Sequence, residues 1–161
     1  MSCESGEHNG IVDYVAEVGG RAYFEVPVAG PRVAASHRYI DAVRISDPAG
    51  EGACVDYNKH STAFEADLEA AHAEGWDVEL LEAKNKLNRS VIGQVIIAGD
   101  LFCDQFTTYG PIRLAVVVGA EDAALRKVCD RRGIGVHLVK PWRGRAWQAS
   151  TPARLTENVA D

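Results

Sequence analysis

The sequence predicts an α/β fold in which a mixed central β-sheet is flanked by helices. Three observations predict it. From about residue 60 onward, segments with a helical apolar stripe alternate with short aliphatic runs, the pattern of right-handed crossovers between parallel strands. Near the N-terminus two strand-like runs, "RAYFEVPV" and "HRYIDAVRI", follow each other across a Gly/Pro break and read as an antiparallel hairpin. The chain has 161 residues, which suits one domain with a core of its own.

Each element has a local reason. Ile11, Val12, Tyr14, Val15 and Val18 form a helical stripe that stops at Gly19-Gly20. The two hairpin strands follow, the second running from His37 to Ile45. "SDPAGEGACVDYNKH" is dense in Gly, Pro and Asp and reads as a loop. Thr62 and Glu65 have the spacing of a capping box, with Phe64, Leu68 and Ala71 at helical spacing behind them and Gly75 at the stop. "VELLEAK" is a strand. Ser90 stands as the N-cap of an apolar helix, Val91 to Cys103, in which Gly93 and Gly99 allow close packing. "PIRLAVVVG" has the unbroken aliphatic character of a strand buried on both faces. "EDAALRKVCDRRG" places acids at its start and bases at its end, as the helix dipole favours, and "IGVHLV" is a last strand. The expected order is α-β-β-α-β-α-β-α-β, filling residues 1–139, with residues 140–161 as a basic and aromatic C-terminal tail.

Composition narrows the function classes. Hydrophobic residues make up 47% and charged residues 25%, an ordinary globular mixture. A formal net charge of -6 argues against non-specific coating of nucleic acid, which relies on Lys and Arg neutralising phosphates. It leaves room for an enzyme with a local basic patch. No apolar run approaches the roughly 18–20 residues of a membrane span, and "MSCESGEHNG" lacks the basic and apolar regions of a secretory signal. Cys3, Cys54, Cys103 and Cys129 are widely spaced, without zinc-ligand spacing, so free thiols in a reducing cytoplasm are expected. No Gly-rich phosphate loop is present, which argues against a nucleotide-binding domain of the common types.

Charged residues interrupt two of the apolar strands. Asp41 lies inside "YIDAVRI", and Glu82 and Lys84 share one face of "VELLEAK". An unpaired buried carboxylate costs several kcal/mol, so such groups pair or bind a metal. Two carboxylates from neighbouring strands with one lysine form a sensible set for a hard cation. Mg²⁺ is held by one or two carboxylates, keeps several waters and takes phosphate oxygens in its remaining positions. Such a set suits metal-assisted phosphodiester hydrolysis. The competing reading is a structural ion pair of Lys84 with Glu82 or Asp41.

This element order with D…ExK resembles the PD-(D/E)xK nuclease superfamily, the restriction-endonuclease-like fold shared by Holliday-junction resolvases and RecB-type nucleases. The resemblance runs from about Ile11 to Val139. It implies Asp41 and Glu82 as ligands of Mg²⁺, or of Mn²⁺ in its place, joined by the Ala83 carbonyl. It implies Lys84 as the residue that orients or deprotonates water, and Gln94, on the following helix, as its support. Ile40 stands where the family often has Pro. Many members add an acid from the first helix, for which Asp13 and Glu17 are the candidates. The cysteines do not match the pattern of members that carry an iron–sulfur cluster.

The implied function is Mg²⁺-dependent hydrolysis of phosphodiester bonds in DNA. A chain this small would need a homodimer or a partner protein to cut both strands of a duplex. The alternative is a catalytically inactive copy of the fold that serves as a nucleic-acid-binding or assembly module. Lys86 and Arg89 follow the ExK strand and are candidates for phosphate contacts. In "KPWRGRAWQASTPARL", Arg143 and Arg145 flank aromatic residues including Trp142, a composition that grips single strands or pins a tail to its domain. His137 reads as a core histidine, and His8, His60 and His72 show no spacing that suggests a site.

Overall fold

The computed structural model describes residues 5–28, 38–46, 52–106 and 110–142. Four helices flank a six-stranded mixed sheet. In chain order the elements are α1 (Ser5–Val18), β1 (Arg21–Pro27), β2 (Tyr39–Ile45), β3 (Ala53–Asp56), a 3₁₀ turn (Tyr57–Lys59), α2 (Ser61–Glu74), β4 (Val78–Lys84), α3 (Arg89–Gln105), β5 (Ile112–Val118), α4 (Ala123–Arg131) and β6 (Gly135–Leu138). The strands lie in the order β3-β1-β2-β4-β5-β6. The hairpin of β1 and β2 is antiparallel, β2 runs antiparallel to β4, and β4, β5 and β6 are mutually parallel.

The α/β class and the mixed sheet are as the sequence predicts, but the order contains an additional strand. Ala53–Asp56, expected as loop, forms β3 and pairs in parallel with β1 at the sheet edge. Ala53, Cys54 and Val55 are all buried, a run too short to stand out among its Gly and Pro neighbours. Two cap expectations also shift. α2 starts at Ser61, with the His60 carbonyl accepting from Phe64 N at 2.9 Å, so Thr62 sits inside the first turn rather than capping it. α3 is capped by Asn88, whose Oδ1 accepts from Val91 N at 2.9 Å, two residues before Ser90. Gly75 does close α2, in the left-handed conformation at φ 73° that a side chain would strain.

Each face of the sheet has its own core. α1 covers one face alone: Ile11, Tyr14 and Val15 pack on Ala22, Ala42, Leu81, Ala83, Ala115 and Val117. On the other face α2 and α3 cover Tyr23, Val43, Ile45 and Leu80, centred on Phe64. The fully buried Phe64 ring meets Tyr23, Tyr57 and Phe106 edge to face, and burying it contributes about 2–3 kcal/mol. α3 and α4 together cover Val116, Val118 and Val136.

The strands alternate regularly except in one place. Ala22 and Phe24 pack on the α1 side and Tyr23 on the other, yet Val26 and Val28 also join the α2/α3 side. The change falls at Glu25, whose φ is 58°, a left-handed value uncommon outside glycine. The β1–β2 ladder pairs Phe24 with Ala42 and resumes at Val26 with Ile40, leaving Glu25 opposite Asp41 across the kink.

Candidate metal centre

Asp41 and Glu82 come together because β2 and β4 are neighbours in register. Ala42 pairs with Leu81 and Val43 with Leu80, so the next step sets Asp41 against Glu82. Ala83 N–H donates to Asp41 Oδ2 at 2.9 Å, and the two carboxyl groups are hydrogen-bonded to each other. The Glu82 carboxyl also accepts from the Asp41 backbone N–H. Glu82 is only 6% exposed.

Two acids held this close and this dry cannot both ionise without a compensating cation. Burial, then the Asp41 charge and the hydrogen bond to Asp41, push the Glu82 carboxyl up to about 10. Burial also raises Asp41, against the pull of the Ala83 N–H, its bond to Glu82 and the nearby His8. With no cation the pair therefore shares a proton at neutral pH.

Lys84 ends the same strand, and its Nζ donates to Glu7 Oε1 at 2.6 Å. Glu7 lies in the first turn of α1 and its charge adds to the rise at Glu82, so α1 brings an acid and β4 a base to one site. The next residue, His8, is buried, stacks on Phe24 at 4.2 Å and reaches Glu25 Oε1 with Nε2 at 3.2 Å. Glu25 and His8 act on Asp41 with opposite signs. The first-helix acid at this site is Glu7, while Glu17 is exposed further along the helix, where its charge acts on Tyr14.

Glu7, His8 and Glu25 were not among the residues the sequence singled out. The expected helix began at Ile11, because after Met1 and Cys3 the segment "MSCESGEHNG" has no apolar residue to extend the stripe. The signal was present nevertheless: four and three positions before Ile11, on the same helical face, stand Glu7 and His8. Nothing in the sequence marks the left-handed conformation of Glu25.

Asp41, Glu82 and Gln94 line one recess of about 320 Å³ with Val28, Arg38, Tyr39, Ile97, Ala98 and Leu101. Lys86 and Arg89 are exposed, in the turn after β4 and at the start of α3. Trp142 is half-buried and packs on the α1-side core, where a Cβ at Gly119 would stand 2.7 Å from its ring. That packing suits the pinning role better than base stacking. Arg143 and Arg145 lie outside the described residues.

Asp41 and Glu82 supply two convergent carboxylates. Among the described residues no group of three or more His, Cys, Asp or Glu side chains could hold a metal ion, so a soft or ligand-rich site is not formed. A hard cation needs less protein: two convergent carboxylates suffice where water and substrate complete the coordination.

A second polar cluster occupies the α1 face. Glu79 accepts from the Tyr14 hydroxyl at 2.9 Å, and Arg44 Nη1 stands 3.4 Å from the same oxygen. His137, stacked on Tyr14 at 4.2 Å, has Nε2 3.5 Å from Glu79 Oε2. Burial would raise Glu79, but His137, Tyr14 and Arg44 outweigh it and hold this carboxylate below its ordinary range. His137, expected in the core, is half-buried instead and ties β6 to β4 and α1.

No helix among the described residues is long and apolar enough to cross a membrane. Comparison of the chain with models of protein families, with curated proteins and with solved structures finds no match.

Proposed function

We propose that the chain is a Mg²⁺-dependent nuclease of the PD-(D/E)xK type that hydrolyses phosphodiester bonds in DNA. The observation that carries this reading is the buried, hydrogen-bonded pair of Asp41 and Glu82. Its excess negative charge on ionisation matches a divalent cation far better than it serves packing. Lys84, the lysine of the same strand, donates to Glu7, an acid brought to the site by α1.

Asp41 and Glu82 would hold the ion, with the Ala83 carbonyl beside them. When bound, Mg²⁺ would draw charge from the scissile phosphate and activate the attacking water. Glu7 holds the Lys84 ammonium at the site, where Lys84 orients the water and balances charge on the phosphate. Gln94, on the wall of the recess, would hydrogen-bond the same water or a phosphate oxygen. Lys86 and Arg89, exposed beside the site, would track the adjoining backbone phosphates. A second copy of the chain, or a partner protein, would be needed to cut both strands of a duplex. Free thiols at Cys103 and Cys129 accord with a cytoplasmic setting.

The test is cleavage of supercoiled plasmid, single strands and branched junctions in Mg²⁺ and in Mn²⁺. Asp41→Asn and Lys84→Ala should each lose at least about a hundredfold in rate, an effect typical of electrostatic groups at a reacting centre. Absence of cleavage on all three substrates with either metal rejects the nuclease and leaves an inactive binding module.

A further inference from the structure

The recess that holds the carboxyl pair has a mixed wall, in which Arg38, Asp41, Glu82 and Gln94 face a smaller apolar side. Tyr39 and Ile97 are 39% and 48% exposed, two of four large hydrophobic side chains so exposed among the described residues. Both line this recess, together with Val28, Ala98 and Leu101. Phosphate chemistry makes no use of the apolar side, which offers a surface for a ring or another apolar group. Gln94 and Arg38 supply an amide and a guanidinium to the same lining. The volume of about 320 Å³ is at the small end of ligand sites.

We propose that this recess takes an unstacked nucleobase from the strand whose phosphate lies at Asp41 and Glu82. The preferred substrate is then single-stranded or locally unpaired DNA rather than intact duplex. The inference rests on the nuclease reading above and names its substrate class. Tyr39 offers a ring for stacking, Ile97 and Leu101 an apolar surface, and Gln94 both a donor and an acceptor for a base edge. A base within a duplex reaches such a recess only by leaving its stack, at a cost that an unpaired base avoids. The charge balance agrees. A net charge of -6 gives little general grip on duplex phosphates, and among the described residues Arg38 is the one basic side chain lining the recess.

The experiment uses the whole chain in Mn²⁺ with four end-labelled oligonucleotides: a single strand, a blunt duplex, a duplex with one unpaired base, and a single strand of abasic sites. The strand and the bulged duplex should be cut at least tenfold faster than the blunt duplex, and the abasic strand at least tenfold slower than its normal counterpart. Tyr39→Ala should raise KM for the strand about tenfold, with Tyr39→Phe restoring it. Equal rates on blunt duplex and single strand, or on abasic and normal strands, overturn the proposal. Binding is read separately by 2-aminopurine fluorescence of a strand bound to the Asp41→Asn chain. Quenching that Tyr39→Ala weakens, without cleavage of any substrate by the wild-type chain, removes the nuclease reading and keeps the base site. Cleavage without base dependence or quenching does the reverse, and neither cleavage nor quenching ends both.

Discussion

Replacing Glu82 by Gln keeps its shape and removes its charge. In the metal-free protein Glu82 titrates at about 10 instead of 4.5, because it is buried beside Asp41. The sign follows from linkage. Between those two values the folded chain holds a proton that the unfolded chain has released, so stability falls as pH rises. One extra bound proton gives a slope of roughly 1.4 kcal/mol per pH unit. From pH 6 to pH 8 the wild-type chain in EDTA should therefore lose about 3 kcal/mol, roughly 6–12 °C in Tm for a chain of this size. Glu82→Gln should lose at most half of that over the same range. Millimolar Mg²⁺ or Mn²⁺ should stabilise the wild-type chain increasingly as pH rises, since the cation replaces the proton, and should leave Glu82→Gln little changed. The assay is thermal unfolding followed by circular dichroism at half-unit pH steps, with and without metal. Parallel pH curves for the wild type and Glu82→Gln would refute the shared proton, and with it the electrostatic case for a metal centre.

Two further substitutions probe the supports of the site. Tyr14→Phe keeps the stack on His137 but removes the hydroxyl that donates to Glu79, and should cost about 1.5–3 kcal/mol in urea unfolding. A loss below about 0.5 kcal/mol would show that Arg44 and His137 alone satisfy that carboxylate. Glu25→Gly relieves a left-handed backbone worth about 1 kcal/mol while giving up the contact with His8. Its stability should stay within about 1 kcal/mol of wild type while cleavage falls about tenfold, and unchanged cleavage would remove Glu25 and His8 from the site.

Much of this arrangement was legible because its causes are local. The aliphatic run of β5, the stop at Gly75 and the acid-to-base gradient of α4 each follow from one stretch of chain, and each lies where the sequence puts it. Asp41 and Glu82 were legible for a related reason, since a carboxylate in an apolar strand demands a partner wherever the strand goes. β3 was not, because four residues beside Gly and Pro become a strand only when β1 supplies the neighbouring ladder. The first turn of α1 was hidden in the same way: its polar residues are helical because they extend a helix already held to the sheet by Ile11, Tyr14 and Val15. Both cap positions shifted by two residues, where Asn88 and the His60 carbonyl were better placed than Ser90 and Thr62.

The site itself lies where the period-two rule fails. Val43 and Ile45 pack on the α2/α3 side, and regular alternation would send Ile40 to the opposite face with Ala42. Instead Ile40 and Val26 join the α2/α3 side together, and the reversal passes through Glu25 and Asp41. A kink there gives Asp41 a carboxyl that reaches the Ala83 amide across the strand gap while its neighbours on both sides stay buried. Burial is the largest cause of the raised titration at both acids, so the kink that buries the pair is what holds the proton there. Loosening it admits water, lowers Glu82 toward an ordinary carboxylate and releases the proton. Backbone strain at Glu25 and the charge anomaly at Glu82 are thus two readings of one local geometry.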